Sequence, residues 1–208
     1  MRAAFLALLV LAAPSWAQSD APVERPAVKP GDAWTYRRTD AWTNRQSTSE
    51  VRATFVSESA IVGVVKEVGR EEADSSWTAE WNSVNSFQGG SITPHSGFFR
   101  FPLKVGDTYK AVFEVRVVRL GSNRTRHDRN VRIIGWEEVS VPAGKFRALK
   151  IEVDGEWQRL DAFNSGTAKT TIWYVPELKR WAKWMYEDRG MNGPGPRWGD
   201  ELTEYKLQ

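Results

Sequence analysis

The side chains most often used in enzyme chemistry are scarce in this sequence of 208 residues. It contains two histidines, His95 and His127, and no cysteine. A nucleophile and an imidazole therefore have few ways to pair, and the serines beside His95 do not belong to a G-x-S-x-G motif. The histidines also lack the H-x-x-x-H spacing of a metal site. We expect no catalytic residue, no metal ion and no cofactor.

Carboxylates are the remaining candidates for catalysis, because a glycosidase needs only two of them facing each other across a cleft. Glu71, Glu72 and Asp74 lie in a polar turn, where a solvated loop is the simpler interpretation. Glu80 and Glu114 fall at outward positions of predicted strands. The sequence therefore predicts a protein that is not an enzyme, with a carboxylate-dependent hydrolase as an alternative.

Arginines gather around a predicted hairpin whose tip is Gly121-Ser122-Asn123. Guanidinium groups that converge on one edge would hold an anionic lipid headgroup or an acidic polysaccharide through paired hydrogen bonds. Alternatively, they pair with Asp128 and neighbouring acids and discourage edge-to-edge association. A net charge of +3 lacks the strongly basic footprint of a nucleic-acid-binding protein. The candidate anion-binding residues are Arg116, Arg119, Arg124, Arg126, Arg129 and Arg132.

Aromatic side chains form the second candidate surface, since the eleven tryptophans, less Trp16 of the N-terminal apolar segment, exceed what one small core requires. The long connection from Ser83 to Pro102 carries a cluster of phenylalanines. This cluster either gates an apolar cavity in the sheet or plugs the open end. The tryptophans are expected in the core by default. The candidate ligand-binding residues are Phe98, Phe99, Phe101, Trp77, Trp81, Trp173 and Trp184.

The elements that position these residues are predicted to be strands, because apolar and polar residues alternate along most of the chain. Tyr109, Ala111 and Phe113 alternate with Lys110 and Glu114. The same period of two occurs at Val51, Ala53 and Phe55 and at Trp77, Ala79 and Trp81. Such alternation is typical of half-buried antiparallel strands. Turn residues between the runs predict an all-β domain of about nine to eleven strands.

The stretch from Thr170 to Arg189 is the most ambiguous element. As a helix it would begin at Pro176 and bury Leu178, Trp181 and Met185 on one face. As a hairpin it would turn at residues 176–179 between two strands. The residues before Pro176 are rich in Thr, Ile, Trp and Val, so the sequence favours the hairpin.

A short pattern, K-x-G-D-x-aromatic, occurs at Lys29–Trp34 and again at Lys104–Tyr109. It is typical of a tight turn that opens a strand, since glycine accepts a positive φ and aspartate binds its own backbone. A duplicated sheet half is the alternative explanation.

The N-terminus predicts export. Arg2 precedes an apolar run from Ala3 to Ala13, and Pro14 and small residues follow, as in a signal peptide that is cleaved after Ala17. Residues 18–29 are predicted to be an extended, mostly solvated lead-in, and residues 30–208 a single β domain. The protein is expected in the periplasm or secreted, not integral to the membrane, and without a thiol-linked lipid anchor.

Three segments resemble a pattern found in secreted bacterial β-rich proteins of unknown function. They are FPLKVGDTY (101–109), VSVPAGKFRALKIE (139–152) and TIWYVPELKRWAKW (171–184). In those proteins a VPAG-x-F-x-A-x-K turn and strand precede a W-Y-x-P-E-x-x-R hairpin. The likeness covers about the C-terminal half of the chain. It implies a single antiparallel curved sheet or half-barrel, LolA-like or lipocalin-like, and LolA-like lipoprotein carriers hold acyl chains on a concave apolar face.

These features together predict non-catalytic binding or carriage of an amphipathic, lipid-like ligand of the cell envelope. Two alternatives remain: an envelope scaffold or protein-interaction module, and a carbohydrate-binding module or carboxylate-dependent hydrolase. The expected partners are a lipid or amphipathic small molecule, or an envelope protein, and not nucleic acid.

Overall fold

The structure of the protein, a computed structural model, describes residues 21–86, 90–117 and 123–208. The predicted signal peptide, Arg119 and the Gly121-Ser122 tip lie outside these ranges. The described residues form twelve antiparallel strands in one curved, unclosed sheet, so the predicted all-β class is confirmed. Among them, no helix is both long and apolar enough to cross a bilayer.

The strands follow one another along the chain with short turns between most of them. They are β1 (Ala33–Asp40), β2 (Gln46–Val56), β3 (Ala60–Glu67), β4 (Ala73–Thr78), β5 (Asn85–Ser86), β6 (Gly90–Thr93), β7 (Thr108–Val117), β8 (Asn123–Val141), β9 (Gly144–Arg159), β10 (Ser165–Val175), β11 (Arg180–Gly190) and β12 (Gly193–Lys206). β5 and β6 have only two and four residues.

The order of strands across the sheet is β4-β3-β2-β1-β12-β11-β10-β9-β8-β7-β6-β5. Consecutive strands are neighbours except β4 and β5, which lie at opposite edges of the sheet. In addition, the first strand pairs with the last, and Trp34 lies opposite Tyr205. The β1–β12 pair therefore ties the two ends of the domain together in the middle of the sheet.

The stretch between β4 and β6 hydrogen-bonds to both edges of the sheet. The Val84 N–H donates to the Ser76 carbonyl of β4 at 3.1 Å, and the Ile92 N–H of β6 donates to the Val84 carbonyl at 2.7 Å. The Asn85 side-chain oxygen accepts from the Ser76 N–H at 2.6 Å. Backbone groups that an edge strand would leave free for another chain are thereby satisfied.

The turns fall at two ends of the sheet because consecutive strands run in opposite directions. One end, which we call the tip end, carries the described turns at 41–45, 68–72, 160–164 and 191–192. The other, the plug end, carries the turns at 57–59, 142–143 and 176–179 and the segment 94–107. The two ends differ strongly in what they bury.

The ambiguous stretch is a hairpin, as the sequence favours. β10 ends at Val175, a single 3₁₀ turn covers Pro176–Leu178, and Lys179 has a φ of 58° before β11 begins. The register of the pair then shifts at Ala182, which is a β-bulge. The bulge brings Trp181 onto the same face as Trp184, with 4.9 Å between the ring centroids.

The inner face of the sheet and the lead-in share one core. Val23 and Val28 are buried, and Val23 exchanges two backbone hydrogen bonds of 2.8 Å with Leu103. Most other described residues of the lead-in are exposed, so these two valines anchor an otherwise solvated segment to the sheet. The side chains of Val23 and Val28 cover part of the inner face of the sheet.

The two K-x-G-D turns have the same geometry. Gly31 and Gly106 have φ angles of 92° and 91°. In both turns the aspartate N–H donates to the lysine carbonyl at 3.1 Å, and β1 or β7 follows. The positive φ requires glycine, so the turn itself accounts for the shared pattern.

Candidate functional site

The Phe-rich segment lies on the inner face of the sheet at the plug end. Phe99 and Leu103 are each 1% exposed. The Phe99 ring stacks on Trp181 with 6.1 Å between centroids and an 8° angle between planes. Phe98 and Phe101 are partly buried and pack against the same core. Of the two predicted roles, these contacts favour a plug, and residues 98–103 are called the plug below.

Hydrogen bonds to buried groups hold the plug in place. The Asn82 amide donates to the Phe99 carbonyl at 2.7 Å and accepts from the Phe99 N–H at 2.9 Å. The Tyr109 hydroxyl donates to the Phe98 carbonyl at 2.9 Å. Buried backbone groups need such partners, so the plug has the bonding of a folded element.

Trp77 and Trp81, two predicted ligand-binding residues, help to enclose a side chain of the protein itself. The Arg180 guanidinium is 2% exposed and lies 4.0 Å from the ring centroids of both Trp81 and Trp181. The rings of Trp34, Tyr36 and Trp77 complete the cage at 5.3 to 5.9 Å.

Among the described residues, no carboxylate forms an ion pair with the Arg180 guanidinium, although the Tyr36 phenol and the charge of Asp200 favour its charged form. Nε and Nη1 of Arg180 are buried and have no hydrogen-bond partner among the described residues. Burial lowers the pKa of Arg180 to about 10, while attraction to the aromatic faces favours the charged form. The aromatic rings of the cage therefore stabilise the positive charge of a buried arginine, and Arg180 fills the space that a ligand would need.

The remaining two predicted tryptophans lie on opposite faces of the sheet. Trp184 faces the plug, with its ring 6.1 Å from Phe98. Trp173 faces outward, where its Nε1 donates to Glu137 and its ring lies 5.7 Å from the Lys183 ammonium. Both are half-buried. The predicted aromatic residues are thus divided between two faces of the sheet.

The predicted arginine edge is divided as well. Arg116 and Arg126 are exposed near the tip end, and Arg124 pairs with Glu114 at 2.8 Å. Arg132 pairs with Glu152 and Asp154 at 3.2 and 2.7 Å, as the alternative interpretation expects. Arg129 points to the inner face and Arg119 is outside the described residues. Of the predicted arginines that the structure describes, Arg116 and Arg126 are the two that face outward without an acid partner.

Arg129 is the centre of a buried polar cluster instead. Its Nη1 donates to the carbonyls of Gly155 and Ala168 at 3.0 and 2.9 Å. Its Nη2 lies 3.0 Å from Nδ1 of His127, which must then accept. Burial, followed by repulsion from Arg129, lowers the pKa of His127 to about 4. The imidazole is therefore neutral at pH 7 and stacks on Phe113, with 4.7 Å between centroids.

An open groove of about 820 Å³ crosses the outer face of β7 to β12 near the tip end. Its lining has mixed charge, and sequence reasoning missed it because the residues come from six strands. Some of the charges pair, as in Lys110 with Asp128 at 3.1 Å. Its charged residues are Lys110, Asp128, Asp154, Glu156, Lys169, Glu187, Asp188, Arg189 and Arg197.

The candidate carboxylates and histidines do not assemble into a recognisable catalytic group. Glu80 lies in the turn after β4, and Glu114 is held by Arg124. His95 belongs to the segment 94–107 and His127 to the Arg129 cluster. Within the described ranges, no group of three or more His, Asp or Glu side chains could hold a metal ion.

The fold is shared with solved bacterial proteins. A candidate lipoprotein from Parabacteroides distasonis has a TM-score of 0.59 and 15% identity, over 89% of this chain and 100% of that one. A candidate exported protein with a YmcC-like fold from Bacteroides fragilis has a TM-score of 0.54 and 12% identity, with the same coverage. No family model and no curated protein matches the chain. At these identities the likeness shows the fold alone, and it confirms the resemblance to β-rich bacterial proteins at that level.

Proposed function

We propose that this chain is an exported cell-envelope protein that acts by binding and not by catalysis, as a scaffold or interaction module. The observation that carries this proposal is the plug, because Phe99 and Leu103 occupy the inner face that a carrier would keep open for its ligand. Export is supported by the predicted signal peptide. It is also supported by the neighbours, which are described as a candidate lipoprotein and a candidate exported protein.

The outer groove is the surface proposed to bind the partner. Cations and carboxylates are both present in its lining, so its charge complements a partner that also carries both signs. An extended polypeptide segment has that property, whereas a uniformly anionic polysaccharide does not. Lys169 and Arg189 are exposed in the groove, and neither has an ion-pair partner among the described residues.

Site-specific photo-crosslinking in the native envelope tests the proposal. A photoreactive residue at Lys169, inside the groove, is expected to give a discrete adduct with one envelope protein. The matched control is Lys66, which is also exposed but lies on β3, outside the groove. The adduct should form from position 169 and not from position 66.

Carriage of an amphipathic ligand makes the opposite prediction. It requires the plug to leave the inner face, so that native mass spectrometry and solvent extraction of the purified protein would find bound lipid. Lipid in stoichiometric amount, with no adduct from position 169, would reject the scaffold and establish the carrier. Sugar binding by a carbohydrate-binding module would appear as an oligosaccharide adduct in the same crosslinking experiment.

A further inference from the structure

Among the described residues, four of the five most exposed large apolar side chains lie at the tip end, the fifth being Phe55. Phe163 is 95% exposed and Val68 76%, and Trp42 and Met191 follow at 59% and 56%. Each lies in a different turn, and Leu160 accompanies Phe163. We call these five side chains the tip rim. Large apolar groups held at the ends of hairpins contribute nothing to the core and mark a surface that meets another apolar phase.

The turns of the tip rim are connected to one another. The Trp42 indole donates to the Gly195 carbonyl of β12 at 3.0 Å. The Met191 N–H donates to the Ser165 carbonyl at 3.0 Å, which joins the β11–β12 turn to β10. The Leu160 N–H donates to the Arg124 carbonyl at 2.9 Å and joins the next turn to β8. Three of the four turns are therefore held to neighbouring strands by these bonds, and the Val68 N–H likewise donates to the Thr48 carbonyl of β2 at 3.0 Å.

Cations accompany the apolar residues on the same end. Arg116, Arg126 and Arg189 are exposed, and no carboxylate of the described residues lies within ion-pair distance of them. Most acids nearby are already engaged, as Asp161 is by Arg159 at 2.7 Å. The exceptions include Glu71 and Asp74, in the turn that carries Val68 and its flanking strand, and Glu156, which lines the same pocket as Arg126. Asp188 also lacks an ion pair among the described residues and accepts from the Tyr186 hydroxyl. The half of the rim around Phe163 thus combines apolar side chains with free positive charge.

We propose that the tip rim docks the protein on the surface of an anionic lipid bilayer. Apolar side chains on separate turns suit a fluid interface, which accommodates them without matching their shape, and the free arginines complement acidic headgroups. A tryptophan whose ring is apolar and whose N–H is polar fits the headgroup region. This surface is separate from the plug, so the inference holds whether the inner face is filled or carries a ligand.

Co-sedimentation with lipid vesicles tests the proposal. The purified protein is mixed with vesicles of phosphatidylcholine alone, or of phosphatidylcholine and phosphatidylglycerol in equal parts, at low and high salt. Binding is expected to the anionic vesicles and to weaken with salt. Phe163→Ser should weaken that binding about tenfold, because burial of one phenylalanine in an apolar phase has about this effect.

Phe55→Ser is the matched control for the apolar contribution. Phe55 is 58% exposed, like Trp42, but it lies near the plug end of β2, so its replacement should leave vesicle binding unchanged. Arg116→Glu should weaken binding to anionic vesicles about tenfold or more and leave any binding to neutral vesicles unaltered. Lys145→Glu, at the plug end, is its control and should have no effect. All four residues are exposed, so circular dichroism should match the wild type.

Two results would overturn the proposal. In the first, vesicle binding is absent or not specific to the rim. The wild-type protein then fails to sediment with anionic vesicles, or the control variants lose as much binding as the rim variants. In the other, the wild-type protein is a dimer in solution that Phe163→Ser dissociates, with vesicle binding unchanged. The rim would then be an interface between copies of the chain and not a membrane surface.

Discussion

Replacing Phe99 with alanine tests whether the plug is part of the folded core. Its ring is 1% exposed and stacks on Trp181 and on Phe101, with 6.1 and 6.3 Å between centroids. Truncation of a buried phenylalanine typically costs about 3–5 kcal/mol of the free energy of unfolding, because a cavity is left where the ring was. The backbone hydrogen bonds to Asn82 remain in the variant. We therefore expect a loss of about 4 kcal/mol.

Urea denaturation followed by tryptophan fluorescence measures this loss. The midpoint should fall while the slope of free energy against urea stays the same, as for a core residue in a two-state domain. Phe55→Ala is the control, since its ring is 58% exposed and its loss should change stability by less than about 0.5 kcal/mol.

A movable gate would give a different outcome. If the plug already leaves the inner face in much of the population, Phe99→Ala would cost less than about 1 kcal/mol. The wild-type protein would also bind an apolar fluorescent probe. Those two results together would refute the assignment of the plug to the core and remove the basis of the scaffold proposal.

Three further predictions concern charge and protonation inside the sheet. The free energy of unfolding should fall by about 3 kcal/mol as pH drops from 6.5 to 4, because His127 gains a proton in the unfolded chain over that range while it stays mostly neutral in the folded protein. In urea titrations, His127→Gln should remove this contribution. Arg180→Met should lower stability by less than about 1.5 kcal/mol or increase it, because Nε and Nη1 of the buried arginine lack hydrogen-bond partners among the described residues. Arg180→Ala should cost about 3 kcal/mol, because it opens a cavity in the cage. Equal losses of stability in the two variants would contradict this reasoning. Above pH 10 the free energy of unfolding should fall by about 1.4 kcal/mol per pH unit for each tyrosine whose pKa burial raises. Arg180 acts in the opposite direction, because its pKa is lower in the folded protein than in the unfolded chain. Denaturation curves at alkaline pH measure the net effect. These tyrosines are Tyr36, Tyr109, Tyr174 and Tyr186.

Period-two alternation predicts most of the sheet because each strand has one face to bury. Tyr109, Ala111 and Phe113 all fall on the inner face, as their spacing indicates. The pattern fails where a bulge shifts the register. Phe55 is exposed because the β2–β3 register shifts after Ala53, so the third member of that predicted run faces outward.

The candidate site was less predictable, since its members are brought together by long-range contacts. Arg180 gives no local signal, and its burial depends on rings contributed by β1, β4 and the turn after β4. A basic residue beside a turn would ordinarily be solvated. The five described arginines near one hairpin likewise share a sequence neighbourhood but not a face, because Arg129 falls on the inner side of the alternation. Proximity in sequence therefore overestimates how well side chains converge on one ligand.

The unequal ends of the sheet limit where function can lie. At the plug end, the chain uses its lead-in, the Phe-rich segment and the 176–179 turn to cover one face, and the buried Asp32 carboxylate accepts from Lys179 and from the Gln208 N–H at 2.8 and 2.7 Å. A partner that bound there would have to displace bonded groups. At the tip end, hydrogen bonds hold the turns in place, but apolar side chains and arginines without an ion-pair partner remain exposed to solvent. Since binding free energy comes from surface that folding leaves unburied, we expect substitutions at the tip end to alter association and those at the plug end to alter stability.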